Sequence, residues 1–250
     1  MAGHASRLMG SNPYELELSV DETAHPTSPL EHLFIALELK RHGVAIISLA
    51  PRFIGDFEKA IDYRGDPSAF EASLRQHAAI AQQFGPYKIG VHSGSDKLSI
   101  YPALARVCQG LFHVKTAGTS YLEALRAVYR VDSGLFREIA QFSRDRFETD
   151  RATYHISTRL HMVPEPGKLK DEELEQAYLN QDSGRQILHV AFGSVLTQKT
   201  EEGVSRFRER IVTLLRRNRQ LHENILRGHL GRHVQLLLAD EDQDRTSHIS

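Results

Sequence analysis

The chain has 250 residues, and its 31 basic and 32 acidic side chains nearly cancel to a formal net charge of −1. This length suits one large domain or two small ones, and this charge disfavours nucleic acid and anionic membranes as partners, which leaves a small molecule. The single cysteine, Cys108, excludes an intramolecular disulfide, and no apolar run approaches a membrane span, so we expect a cytoplasmic protein in which Cys108 is a packed thiol.

Four short apolar runs, each followed by an amphipathic segment, predict βα units and a parallel sheet. The runs are LELSVDE (16–22), VAIISLAPR (44–52), YKIGVHSGSDK (87–97) and LFHVKTAGTS (111–120). After the first run, Ser28 and Pro29 predict the start of a helix that Gly43 ends. The other predicted helices run from about Pro67 to Phe84, through IYPALARVCQG (100–110), and from Ser120 to about Phe147.

The second part of the chain is less regular. Thr153 to Ser157 predicts a strand, and Ile187 to Ser194 predicts either a strand or the start of a helix. The segment from Glu201 to Leu238 is rich in arginine and predicts one or two amphipathic helices with a solvated basic face. The sequence therefore predicts about five or six strands.

A complete barrel of βα units needs eight strands, more than the sequence reveals. Either further strands are too irregular to recognise, or the chain corresponds to part of a larger barrel, or the sheet is open. We predict an α/β fold with TIM-barrel-like βα repeats, an incomplete barrel that lacks N-terminal strands. Its single domain would span residues 14–238, between disordered segments at 1–13 and 239–250.

Polar side chains follow the apolar runs, where parallel strands bring catalytic groups together. The histidines in or after such runs are His92, His113, His155 and His189. Neutral imidazole is the commonest metal ligand, so histidines from separate strands predict a divalent metal site. Each could instead be a core histidine bonded to the backbone, but the SGSDK sequence beside His92 favours a site there.

Carboxylates at the end of the first run provide a candidate general base. Asp21 and Glu22 are adjacent, so one of them faces the site if strand geometry persists. The alternative for Asp21 is a helix cap or a turn.

Cationic and hydroxyl side chains follow the other runs. Lys115 lies in the fourth run, where an interior ammonium is costly unless it is paired or functional, and burial there would also favour a Schiff base. Arg52 suits bidentate contact with a carboxylate or phosphate. Thr116 opens a hydroxyl-rich loop at a helix N-terminus, a candidate anion site. Each could equally belong to an ordinary surface.

Four long stretches of the sequence together resemble the tagaturonate epimerase family. They are LELSVDETAHPTSPLEHLFIALELKRHG (16–43), LAPRFIGDFEKAIDYRGD (49–66), FGPYKIGVHSGSDKLSIYP (84–102) and FHVKTAGTSYLEALRAV (112–128). The similarity covers about Tyr14 to Leu238. It implies an α/β barrel enzyme, dependent on a divalent metal, that interconverts D-tagaturonate and D-fructuronate. Relatives act as 4-epimerases on fructose and tagatose, and members carry a substantial portion before the SVDET strand.

The implied reaction inverts a carbon β to the ketone, and enolisation of that ketone does not assist removal of its proton. Retro-aldol cleavage, rotation of the aldehyde and re-addition would invert it, with a metal stabilising the enolate oxygen. We predict His92, His155 and His189 as the ligands, with His113 in reserve. Zinc, manganese, nickel and iron would each suit such a site.

The remaining site residues take roles around that ion. The predicted catalytic residues are Asp21, Glu22, Asp96 and Lys115, and the predicted substrate-binding residues are Arg52, Ser93, Ser95, Lys97 and Thr116. In this scheme the first two carboxylates supply the general base and the third is its partner. Lys115 stabilises developing negative charge, while Arg52 and Lys97 hold the substrate carboxylate.

Two other functions stay open at this point. A Schiff-base aldolase that uses Lys115 needs no metal, and an inactive remnant or a sugar-acid binding protein needs no catalysis. Transient oxidation by a nicotinamide is disfavoured, because the sequence has no G-x-G-x-x-G fingerprint. The substrate is either a hexuronate or a ketohexose, and homo-oligomerisation would cover any open sheet edge.

Overall fold

The four apolar runs in the first part of the chain form one parallel sheet, as the sequence predicts. In the computed structural model, which describes residues 2–238, the strands pair in chain order, β1-β2-β3-β4. They are β1 (Glu17–Ser19), β2 (Ser48–Ala50), β3 (Lys88–Val91) and β4 (Phe112–Val114). The register places Glu17 beside Ser48 and Gly90 beside His113. The carboxyl ends of all four strands therefore lie at the same end of the sheet.

An α-helix follows each strand, and further α-helices make up most of the rest of the regular structure. Within residues 2–238 they are α1 (Ala2–Met9), α2 (Pro29–Arg41), α3 (Pro67–Phe84), α4 (Tyr101–Cys108), α5 (Ala117–Val131), α6 (Ser133–Asp150), α7 (Asp171–Glu175), α8 (Asp182–Val190), α9 (Phe192–Thr197), α10 (Arg208–Arg217) and α11 (Arg219–Leu238).

Capping side chains decide where these helices begin. Ser28 and Glu31 form a reciprocal capping box at the start of α2, with Pro29 in the first turn, as predicted. The Asp66 carboxylate caps α3, whose bounds match the prediction. Asp132 ends α5 and its carboxylate caps α6, so the single long helical region predicted here is two helices.

The part of the chain after β4 adds no further strand within the described residues, so the prediction of five or six strands is wrong. Thr153–Ser157, predicted as a strand, is irregular after a single 3-10 turn, because the Ser157 amide bonds to the Glu58 carboxylate instead of to a neighbouring strand. Ile187–Ser194 lies in α8 and α9, which decides its open assignment in favour of helix. At the amino end, α1 occupies residues predicted to be disordered, although it buries no side chain. The tail predicted at 239–250 lies outside the described residues.

The two faces of the sheet differ in polarity. Leu49 and Ile89 point to the face covered by α3 and α4, where they are fully buried in a hydrophobic core. The alternation of a strand places Glu17, Ser48 and His113 on the opposite face, where Glu17 contacts both of the others. The sheet therefore turns an apolar face to its helices and a polar face away from them.

A second hydrophobic core lies among the helices that follow β4. It includes Phe136, Tyr178 and Phe207, which are all fully buried. Helix α11 packs against both α4 and α5, so it joins the two cores. No helix within residues 2–238 is both long and apolar enough to cross a membrane. Cys108 is buried in the first core, as predicted, and burial raises the pKa of its thiol to about 12.

The apolar residues of the α2 sequence, among them Leu30 and Phe34, predict a helix that lies with this stripe on the sheet, but α2 buries a histidine instead. Leu30 and Phe34 are 75% and 64% exposed, whereas His32 is fully buried. The Nδ1 atom of His32 lies 2.9 Å from Nδ1 of His77, and its Nε2 lies 2.8 Å from the Tyr87 hydroxyl. Both imidazoles cannot be protonated at this distance, so burial and the neighbouring imidazole lower the pKa of His32 to about 4.

Acidification from pH 7.5 to pH 5 is expected to lower the free energy of unfolding by about 2 kcal/mol through His32 alone. The unfolded chain takes up this proton near pH 6.5, before the folded chain does near pH 4, so stability is lost as the pH falls through that interval. Urea unfolding at several pH values measures the loss. His32→Gln should flatten the profile, while the control His42→Gln, at an exposed residue just after the same helix, should not. Equal pH slopes in wild type and His32→Gln would contradict this assignment.

Candidate functional site at the strand ends

The carboxyl ends of β1, β2 and β3 surround a pocket of about 510 Å³. Its polar lining consists of Asp21, Glu22, Arg52, Asp56, Lys59, His92, Ser93, Tyr154 and His155. Six of these residues are predicted site residues, and they come from the chain that follows three different strands and from the irregular segment after α6. The pocket is therefore where the sequence places the chemistry.

His92 lies between two carboxylates at the mouth of β3. Its Nε2 atom is 2.8 Å from an oxygen of Glu17, and its Nδ1 atom is 3.3 Å from an oxygen of Asp21. The second Glu17 oxygen is 3.0 Å from Nδ1 of His113 and also accepts a hydrogen bond from Ser48. Burial alone would raise the pKa of Glu17, but the hydrogen bonds from Ser48 and the two imidazoles outweigh it and lower the pKa to about 2.

Glu17 is absent from the predicted site, although its position carries a signal. Glu17, Ser19 and Asp21 alternate along β1, and residues two apart on a strand share a face. The same alternation relates His113 and Lys115. A polar residue at every second position of an otherwise apolar run thus marks the polar face of the sheet.

Lys59 is the second site residue absent from the prediction. Its Nζ atom lies 2.5 Å from Oγ of Ser93 and 5.7 Å from the centre of the Tyr154 ring. Burial lowers the pKa of Lys59, and the nearby charge of Lys115 lowers it further, while Asp21 opposes both effects. Lys59 follows Glu58 in DFEKAID, in the long loop after β2, where no local pattern distinguishes it from a surface lysine.

Two charged residues of the SGSDK sequence turn away from the pocket, contrary to their predicted roles. Lys97 is fully buried, and its ammonium donates to the carbonyls of Glu58, Ile61 and Ser95. Burial lowers the pKa of Lys97 to about 8. With its donors bound to backbone, Lys97 is a structural residue and does not hold a substrate carboxylate. Asp96 points toward α11 instead of toward the predicted general base.

The other predicted residues around β4 also lie outside the pocket. Ser95 is buried and donates to the carbonyl of Lys115 at 3.3 Å, so its hydroxyl is engaged with backbone. Lys115 is exposed on the polar side of the sheet, and Thr116 precedes α5 without capping it through its side chain. The charge of Lys115 nevertheless acts on the pocket, through its effect on Lys59.

The three histidines predicted as metal ligands do not come together. His155 lines the same pocket as His92 but is 82% exposed, at 3.8 Å from Asp56, whereas His189 lies in α8 and does not line the pocket. Burial and the nearby Lys59 ammonium lower the pKa of His189 to about 4. A methyl group at Gly118 would stand 1.9 Å from the His189 imidazole, so the ring packs directly on the start of α5.

Among the described residues, the donor atoms of Asp96, His229 and His233 converge closely enough to hold a metal ion. The two histidines are four residues apart on α11, and one oxygen of Asp96 is 2.6 Å from Nε2 of His229 and 3.6 Å from Nε2 of His233. The helical prediction for residues 201–238 gave these histidines no role, and their i, i+4 spacing is the signal that would have grouped them.

Protein groups already occupy the donor atoms of this cluster. The Asp96 amide donates to Nε2 of His233 at 3.2 Å, and the Arg185 guanidinium donates to the second Asp96 oxygen at 2.9 Å. Burial alone would raise the pKa of Asp96, but His229 and Arg185 hold it well below its usual range. A guanidinium supplies here the positive charge that an ion would supply, so the cluster fits a structural role better than a metal site.

Comparison with known proteins identifies close relatives. A sequence profile for tagaturonate epimerases matches residues 6–237. A tagaturonate/fructuronate epimerase of Thermotoga maritima is 49% identical over 224 residues, which are 90% of this chain and 45% of that protein. The native crystal structure of the fructuronate-tagaturonate epimerase UxaE from Cohnella laeviribosi is 44% identical, with a TM-score of 0.86 over 91% of this chain and 46% of that one. A glycerol complex of the same enzyme is 42% identical, with a TM-score of 0.87. The chain thus spans about half the length of the relatives it matches.

Proposed function

The chain belongs to the tagaturonate epimerase family, and we propose that it takes part in the interconversion of D-tagaturonate and D-fructuronate in the pocket at the ends of β1 to β3. The observation that carries this proposal is the convergence of three carboxylates, two imidazoles, a partly buried ammonium and a guanidinium around one pocket of suitable size. The relatives are named as epimerases for these two sugar acids. The buried single thiol fits a reducing compartment, and we place the reaction in the cytoplasm.

The reaction we propose is retro-aldol cleavage followed by re-addition. A carboxylate takes the proton of the hydroxyl on the carbon to be inverted, the bond to the neighbouring carbon breaks, and its electron pair forms an enolate with the ketone. The aldehyde rotates, the carbon–carbon bond forms again on its other face, and the same proton returns to the new alkoxide. Glu22 is exposed in the pocket and suits the role of base, while the Lys59 ammonium suits the negative enolate oxygen.

We further propose a divalent metal, zinc, manganese, nickel or iron, at the carboxylate and imidazoles of Glu17, His92 and His113. The ionised carboxylate between two imidazoles is a donor set that such ions prefer. Each imidazole contacts a different carboxylate oxygen, so the two rings would have to move toward each other to share one ion. The Asp21 carboxylate lies 3.3 Å from Nδ1 of His92, where it would orient the ring of a histidine that ligates a metal through its other nitrogen. When bound, the metal would supply Lewis-acid stabilisation of an oxyanion.

We propose that the sheet has the geometry of a barrel segment. Four parallel strands in chain order, with helices on one face and polar side chains on the other, support this assignment. The polar face would then line the barrel interior at the mouth that holds the pocket.

Arg52 decides between an acidic and a neutral sugar. Its guanidinium lines the pocket and one of its groups donates to the Thr23 carbonyl. Arg52→Leu is expected to raise the KM for D-tagaturonate by about 10- to 100-fold, since a charge-assisted bond to the substrate carboxylate would be lost. The KM for the neutral ketohexose D-tagatose should stay within about twofold. Arg75→Leu, at an exposed arginine of α3, is the control. An equal change in KM for both sugars would contradict the role of Arg52. If the wild-type protein converts neither sugar, the proposed function itself is contradicted.

An imine at a lysine is the second candidate chemistry, and the geometry favours Lys59 over the predicted Lys115. Lys59 lines the pocket and has a lowered pKa, whereas Lys115 is exposed outside it. Borohydride reduction with substrate present would trap an imine as a covalent adduct. Unchanged mass of the peptide that contains Lys59 would leave the ammonium in its electrostatic role.

A further inference from the structure

The segment that carries Lys59 has side-chain donors on four successive carbonyl groups. Lys97 donates to the carbonyls of Glu58 and Ile61. Gln186 donates to the carbonyl of Lys59 at 3.3 Å, and Arg185 donates to the carbonyl of Ala60 at 2.8 Å. We refer to residues 58–61 as the lysine mount. Side-chain donors thus hold every carbonyl of this segment, so its backbone is constrained along its whole length.

The conformation of the mount requires these contacts. Ala60 has a φ angle of 64°, in the left-handed region that favours glycine, and it is buried. The Glu58 side chain is held as well, because one of its carboxylate oxygens accepts from the Ser157 amide and from Gln186. A strained residue persists where its surroundings fix it, which is typical of segments that position a functional group.

Arg185 links the mount to the cluster on α11. Its Nε donates to Ala60, while its Nη2 donates to Asp96, which His229 also contacts. Lys97, next to Asp96 in sequence, ties the loop that carries His92 and Ser93 to the same mount. The helices α8 and α11 therefore hold, through one buried guanidinium, the two loops from which Lys59 and Ser93 meet.

We propose that Arg185 is a positioning residue, assisted by Gln186 and Lys97, that fixes the lysine mount so that the partly buried Lys59 ammonium stays in the pocket against Ser93. The role of Lys59 in turnover rests on the proposed function, but its fixed placement does not. The cluster of Asp96, His229 and His233 is then the outer anchor of Arg185, which explains a buried group of charges outside the pocket.

Selective labelling of Lys59 tests the placement without any substrate. The reagent is an amine acylating agent, applied across pH 6 to 11, with the Lys59 peptide quantified by mass spectrometry. The charged or titratable groups that act on Lys59 are Asp21, Glu22, Lys97, Lys115 and His189. Arg185→Met should release the mount, so that Lys59 labels at least about fivefold faster at saturating pH, with its half-labelling pH moved toward that of a free lysine.

Arg126→Met is the matched control, because Arg126 is a largely buried arginine bonded to Glu123 and to the Leu179 carbonyl, but it does not contact the mount. Its Lys59 labelling should equal that of wild type. If Arg185→Met does not fold, Gln186→Met replaces it, since it removes only an uncharged donor to the Lys59 carbonyl. It should also speed the labelling of Lys59, by a smaller factor. Wild-type labelling in a folded Arg185→Met or Gln186→Met variant would overturn the proposal.

Kinetics provide the second readout. Arg185→Met should lower kcat by about tenfold with little change in KM, since the lysine loses its placement and the substrate contacts stay, and Arg185→Lys should recover part of the loss. If Arg185→Met labels faster but the wild-type protein has no epimerase activity, the role of Arg185 in placing Lys59 is supported and the proposed function is contradicted. Unchanged labelling in an active enzyme would reject the mount alone.

Discussion

Lys59→Met is expected to lower kcat for D-tagaturonate by about 100- to 1,000-fold while the protein stays folded. The ammonium lies in a partly buried pocket, at 2.5 Å from Ser93, and it is the cation whose charge the enolate oxygen would meet. One preorganised electrostatic contact of this kind is worth about 3 to 4 kcal/mol in the transition state. Methionine keeps the length of the side chain and removes the charge. Steady-state kinetics measured in both directions would give the effect.

Lys168→Met is the control for this variant, since Lys168 is 73% exposed and forms a surface ion pair with Glu165. Its kcat should equal that of wild type. A Lys59→Met enzyme within about threefold of wild type would remove Lys59 from the site.

His92→Asn is expected to cause the second large effect, a loss of bound metal together with a decrease in kcat of about 100-fold or more. His92 contacts both Glu17 and Asp21, so its replacement removes a donor and releases two carboxylates that face each other across it. Asparagine keeps a similar volume and a hydrogen-bonding group. Inductively coupled plasma mass spectrometry of purified protein measures the metal content per chain.

His229→Asn distinguishes the two candidate metal positions. His229 belongs to the cluster on α11 whose donors already bind Arg185 and the Asp96 amide. We expect this variant to keep its metal while His92→Asn loses it. The opposite result would move the metal site to α11, and full metal content in both variants would contradict both positions.

Local rules predict the first half of the fold well. The helix start at Ser28 and the bounds of α3 follow from capping side chains and proline, which act over three or four residues. The strand predicted at Thr153–Ser157 does not form, because a strand needs a neighbouring strand to bind its amides, and the Ser157 amide donates to the Glu58 carboxylate instead. The apolar stripe of α2 misleads for a similar reason, since the buried partner of His32 lies 45 residues away on α3.

The site is predictable where strand ends supply it and unpredictable where packing decides side-chain direction. Asp21, Arg52 and His92 line the pocket because parallel strands end together. Lys97 looks equally suitable in sequence, yet its ammonium turns inward to three carbonyls. Lys59 comes from a long loop whose course is set by donors on α8, more than 120 residues later, so no local pattern announces it.

Conversion of D-tagaturonate in D₂O, followed by proton NMR, tests the central claim most directly. The proposed route breaks a carbon–carbon bond and never removes the hydrogen on the inverted carbon, so D-fructuronate should form with that position fully protonated. The Lys59→Met and His92→Asn variants should form it far more slowly. Deuterium at the inverted carbon would contradict the retro-aldol route, and no D-fructuronate from metal-supplemented wild-type protein would contradict the proposed function itself.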